Sequence, residues 1–131
     1  MSTRATYQIN DKTFYIHHDG YPEGGAAYLW RGFNTDARVY GFSKAFAMAN
    51  ERAEVTEGHD AHGDTEYQYT VTVMPHMIHL VVYARDMEHY PVGGWKLHFD
   101  GAMVDFIAKH QDSPLFQSIS VVGATKTEVP A

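Results

Sequence analysis

The chain has 131 residues, no cysteine and a formal charge of −6. Without cysteine there can be no disulfide, thiolate metal site or cysteine nucleophile, and a reducing cytoplasm is the expected compartment. With 44% apolar and 20% charged residues it reads as one globular domain, long enough to bury about two-thirds of its unfolded surface.

The opening MSTRATYQIN has no apolar run of the secretory kind. The longest apolar stretch, residues 77–84, contains His79 and is strand-length, well short of the ~18 residues that span a bilayer. The globular domain is expected over residues 1–123, with 124–131 as a frayed tail.

Ala5, Tyr7 and Ile9 alternate with Arg4, Thr6 and Gln8, the period of a half-buried strand. Asn10-Asp11 is a turn pair, and Thr13 to His18 continues as the second strand of a hairpin. Phe14, Ile16 and His18 fall on one face, and Tyr15 and His17 on the other. Asp19-Gly20 turns the chain into a helix with Pro22 in its first turn and Glu23 favouring its dipole. Ala26, Leu29, Trp30 and Phe33 form its apolar stripe, while Gly24 and Gly25 weaken its start. Asn34 to Gly41 is a loop. Ser43 is the expected cap of a second helix, with Phe42, Phe46, Ala49 and Ala53 as its stripe.

An acidic loop follows. Tyr67, Tyr69, Val71 and Val73 alternate with Gln68, Thr70 and Thr72, and Ile78, Leu80 and Val82 alternate beyond Met74-Pro75-His76, giving a second antiparallel pair. Trp95, Leu97 and Phe99 mark a fifth strand. Asp100 is the expected cap of a third helix carrying Met103, Phe106, Ile107 and His110. Ser113-Pro114 should end it, and Ile119 to Val122 reads as a short pairing segment. The expected fold class is α+β: an antiparallel sheet of about five strands with two or three helices on one face.

Two turns gather chemistry. His17, His18 and Asp19 lie in one, and His59, Asp60, His62 and Asp64 in the other. Imidazole and carboxylate bind divalent ions, so His17, His18, Asp19, His59 and His62 are candidate ligands of a metal, or acid–base residues of an enzyme. No HExxH or facial-triad pattern supports that reading, and no serine lies in a nucleophile-elbow context. DGYPEGG opens a helix but lacks the lysine and spacing of a phosphate loop.

Charge is the other signal. From Glu51 to Glu66 there are six acids (Glu51, Glu54, Glu57, Asp60, Asp64, Glu66) against Arg52 alone, a net of −5. Such a patch repels phosphate backbones and suits a basic partner surface, or else is merely a solvated loop. Tyr21, Tyr28, Trp30, Phe33 and Tyr40 are aromatic candidates for a protein contact, with Trp30 and Phe33 better read as core.

MSTRA, FYIHHDGYPEGGAAYL and NERAEVTEGHDAHGDTEYQYTV, in that order over residues 1–73, resemble a family of small uncharacterised proteins of bacteria and of phage, prophage and plasmid DNA. HDGYPEG and HGDTEYQY carry the likeness. The resemblance implies no catalytic role. It implies a setting in which small acidic proteins block host defence by binding it, CRISPR effector complexes being basic because they hold nucleic acid. The expectation is therefore a non-enzymatic inhibitor, anti-CRISPR-like, without cofactor. Glu54, Glu57, Asp60, Asp64 and Glu66 would meet a basic host protein or ribonucleoprotein, with Tyr21 and Tyr67 as anchors. Neither direct nucleic-acid binding nor a membrane is expected. The alternative is a divalent-metal or acid–base enzyme built on the two histidine turns.

Overall fold

The computed structural model describes residues 3–35, 41–90 and 93–120. Strands β1 (Ala5–Ile9) and β2 (Lys12–Ile16) pair antiparallel, Ile9 opposite Lys12 and Ala5 opposite Ile16. Asn10 takes the left-handed conformation at the turn (φ 54°), which asparagine tolerates better than most residues. Its side-chain carbonyl accepts the Val73 N–H at 3.1 Å, tying the hairpin to a later strand.

That strand is β4 (Tyr67–Val73), and it runs parallel to β1. With β3 (Glu54–Thr56), β5 (Ile78–Arg85) and β6 (Trp95–Ala102) the sheet has six strands in the order β3-β2-β1-β4-β5-β6. The expected all-antiparallel sheet of about five strands is corrected on both counts: the sheet is mixed, and β3 is the extra strand. Three residues with an acid at one end carry no readable period. The parallel pair arises because β3 lies outside β2 while β4 lies beyond β1. The chain between them must cross two strands.

One face of the sheet is the core. Ala5, Tyr7, Ile9, Phe14, Ile16, Tyr69, Val71, Leu80 and Val82 point into it, all buried. Tyr7 and Tyr69 stack across the parallel pair, ring centroids 4.6 Å apart and planes nearly parallel. Each fully buried large apolar side chain stabilises the fold by about 1.5–3 kcal/mol.

The helices cover this face. Helix α1 (Pro22–Phe33) begins with Pro22, whose missing N–H costs nothing there. The two glycines of its first turn are a packing device and not a weakness: a Cβ on Gly25 would collide with the Tyr69 ring, and one on Gly24 would strike the Asp19 carbonyl. The Tyr69 hydroxyl donates to the Gly20 carbonyl at 2.7 Å, closing the junction.

Helix α2 (Phe42–Ala49) starts at Gly41, which holds φ 104°, so Ser43 is not its cap. It stops before Ala53 because Asn50 is buried and spends its amide on the Phe46 and Tyr28 carbonyls, each at 3.0 Å. Asp100 caps no helix either. It belongs to β6 and accepts a hydrogen bond from His79 of β5 at 2.7 Å, and helix α3 (Met103–His110) begins three residues later.

Ser113 and Pro114 open a further helix instead of only ending one. The Ser113 hydroxyl accepts the Phe116 N–H at 3.1 Å, and residues 114–120 are helical. Ile119 is therefore helical, and residues 121–122 and the 124–131 tail lie outside the described residues. Among the described residues no helix is long and apolar enough to cross a membrane.

Candidate functional site

The segment 57–66 lies as a strap over the opposite, polar face of the sheet. It is the crossing that the strand order demands, spanning about 14 Å at the usual spacing between strands. Its histidines are the pegs. His59, in a short 3-10 turn (His59–Ala61), places Nδ1 2.6 Å from the Thr6 hydroxyl of β1 and Nε2 2.9 Å from the Thr70 hydroxyl of β4. A neutral imidazole does this by donating from one nitrogen and accepting at the other. Burial lowers the His59 pKa, with Asp60 pulling weakly the other way, so the ring is neutral at pH 7.

His62 lies flat on the Tyr15 ring of β2, centroids 3.7 Å apart, with Nε2 3.0 Å from the Thr56 hydroxyl. The Tyr15 hydroxyl donates to both oxygens of Asp64 at 2.8 and 3.0 Å. Burial, followed by the Asp64 carboxylate, pushes the Tyr15 phenol up to about 12, which keeps it a donor. Arg4 approaches Asp64 at 3.2 Å, an ion pair by distance, although Nε is not aligned for a hydrogen bond. The strap explains why Thr6 and Tyr15 are buried on a face whose composition is polar.

The first histidine turn meets the same cluster. His17 packs edge-on against Tyr15 at 4.6 Å and bridges to Glu54 at 3.0 Å. The two turns therefore converge on one tyrosine ring. They do not converge as ligands. Among the described residues no three His, Asp or Glu side chains are placed to hold a metal ion. Recruiting His59 to one would cost it a hydrogen bond to Thr6 or Thr70. His18 is exposed, its carbonyl accepting from the Tyr28 hydroxyl at 3.3 Å, and Asp19 makes the turn with φ 58°.

The acids divide by environment. Asp64 is tied to Tyr15 and Arg4, and Glu54 to His17. Glu66 is held through its backbone, donating to the Arg4 carbonyl and accepting from the Arg85 N–H, each at 2.8 Å. Glu57 and Asp60 are exposed and have no hydrogen bond or ion pair among the described residues. Strap histidines point in; of the strap carboxylates, Glu57 and Asp60 point out and Asp64 points in.

Tyr21 and Tyr67 are elsewhere. Their rings meet at 6.3 Å on the helix side, where Tyr67 also faces His98 at 6.4 Å. Tyr40 lies outside the described residues.

Thr6, Thr70, Tyr15 and Arg4 read in the sequence only as strand residues, with no part in a site. The available signal was the alternation itself: a strand that shows threonines on its second face leaves hydroxyls that need partners once covered. The chain matches no family model, no curated protein and no solved structure.

Proposed function

We propose that this is a non-enzymatic binding protein whose working face is the outer surface of the strap and of β3, presenting Glu54, Glu57 and Asp60 to a basic macromolecular partner. The observation that carries the reading is the division of labour along HDAHGD. Its histidines are consumed in fastening the strap, and Glu57 and Asp60 face solvent without internal neutralisation. Carboxylates on a fastened loop meet a partner without the ordering cost of a floppy one. Exposed ion pairs are worth only ~0–1 kcal/mol each, so such a face steers and selects more than it grips.

The partner that suits this chemistry is a bacterial defence complex whose basic groove handles nucleic acid, and the protein acts as its anti-CRISPR-like inhibitor. Tyr21 and Tyr67 form a second patch on the helix side, available to the same large partner.

The test is protection of a targeted plasmid in a bacterium with an active CRISPR system. Wild-type protein should raise transformation efficiency. A variant carrying Glu54→Lys, Glu57→Lys and Asp60→Lys should not, while keeping its thermal midpoint. Equal protection by the reversed variant would overturn the electrostatic face, and no protection against any effector class would overturn the inhibitor.

A further inference from the structure

The strap is pinned by groups of different kinds, and among the described residues His59 alone joins it to two strands, β1 and β4, through both nitrogens of one ring. That arrangement works only for the neutral ring. An imidazolium donates from both nitrogens, so the threonine hydroxyl that had donated to the ring must turn its proton away. Thr6 is fully buried, and its hydroxyl has no second partner among the described residues. A charge placed between two neutral hydroxyls under the strap is also poorly solvated.

The groups around it offer little relief. β1 presents Thr6, with Arg4 at its start already turned to Asp64. β4 presents Thr70 and Gln68, with Glu66 before it; β2 presents Tyr15, and β3 presents Glu54, bonded to His17. Within the strap are Asp60, His62 and Asp64, and of all these charges only Asp60 acts on His59. A Cβ on Gly58 or Gly63, which flank the pegs, would meet nothing; the Gly63 carbonyl accepts a bond from the Tyr90 hydroxyl at 3.2 Å, and the Asp64 bonds to Tyr15 and the backbone bonds of Glu66 to Arg4 and Arg85 hold the β4 end of the strap in place. The segment between those glycines can therefore lift while the sheet stays whole.

We propose that the strap between Gly58 and Gly63 is an acid-released cover: protonation of His59 detaches that segment and uncovers the polar face around Thr6, Thr70 and the Tyr15 ring. This stands apart from the docking reading, since it concerns the strap's attachment whatever binds outside it.

The experiment is an NMR titration of the full chain from pH 7.5 to 4.5. It follows the His59 ring protons, the amide of Ala61, and the cross-peaks between the His62 and Tyr15 rings. The His62–Tyr15 cross-peaks and the amide protection should vanish together as His59 takes its proton, with core amides of β1 and β4 unchanged. With one proton driving the step, the open-to-closed ratio rises about tenfold per pH unit across the transition. His59→Gln, which keeps a donor and an acceptor but does not titrate, should stay closed at pH 5, and His62→Gln should still open. A wild-type strap that stays closed after His59 has titrated overturns the proposal. So does a His59→Gln strap that opens at the wild-type pH. Should His59→Gln fail to fold, the coincidence or separation of the His59 and strap transitions in the wild type decides alone.

Discussion

Tyr7 and Tyr69 lie ring on ring in the core, yet their hydroxyls have opposite fates. Tyr69 donates to the Gly20 carbonyl, while the Tyr7 hydroxyl is buried with no partner among the described residues. Removing a satisfied buried donor strands its acceptor, whereas removing an unsatisfied one relieves a desolvation cost. Tyr69→Phe should therefore lose about 1–2 kcal/mol of stability. Tyr7→Phe should be neutral or stabilising, both read from urea midpoints. Histidines carry the pH dependence at this scale. Burial lowers the pKa of His59, His98 and His110 in the folded chain. The unfolded chain then binds more protons than the folded one below the ordinary imidazole value of about 6.5. Stability is thus full above that value and falls with pH until the folded-state pKa values are passed. The thermal midpoint should drop between pH 7.5 and pH 5, and His59→Gln should flatten part of the slope. A midpoint that rises on acidification would contradict the burial of His59 and His110.

Elements were legible where a period was long enough to see. β1, β2, β4 and β5 announced themselves by alternation, and α1 and α3 by their stripes. β3 did not, because three residues cannot display a period. Nor did the parallel pairing of β1 with β4, which is fixed by the strap's route across the sheet and by nothing in either strand. Asp100 and Ser113 show why caps mislead: each is a fair capping residue, but a cross-strand histidine claims the first, and the second caps the helix after the one it was expected to end. Gly24 and Gly25 were read for propensity when their role is close approach. That role is testable. A Cβ at position 25 has nowhere to go, since the Tyr69 ring is itself stacked on Tyr7 and bonded to Gly20. Gly25→Ala should cost about 1–3 kcal/mol by overpacking, although alanine is the better helix former. If propensity governed, the same change would stabilise by a few tenths to 1 kcal/mol, so the sign of the urea shift discriminates.

For the whole molecule, the candidate site was half legible: the loop stood out by its histidines and acids, but the direction in which each side chain points was hidden. Sequence shows that His59, Asp60, His62 and Asp64 are close in the chain. Only the crossing over Tyr15 and Thr6 sorts them into fasteners and free charges. That sorting makes the net charge of −6 a poor guide to any single acid. Reversing Glu57 and Asp60 changes the surface field and breaks no contact among the described residues, so stability should move by less than about 0.5 kcal/mol. Asp64→Ala changes the field less but leaves the Tyr15 hydroxyl without its acceptor, and should cost about 1–2 kcal/mol. The Arg4 ion pair adds little to that, because both side chains are substantially exposed. Binding should invert the order. A basic partner's association rate should fall steeply with salt for the wild type, fall less steeply for the Glu57→Lys, Asp60→Lys pair, and remain salt-dependent for Asp64→Ala. Stopped-flow association at two ionic strengths, beside urea unfolding of each variant, separates the two effects. If the Glu57 and Asp60 reversals unfold the protein while Asp64→Ala leaves it untouched, the inward and outward faces of the strap have been assigned the wrong way round.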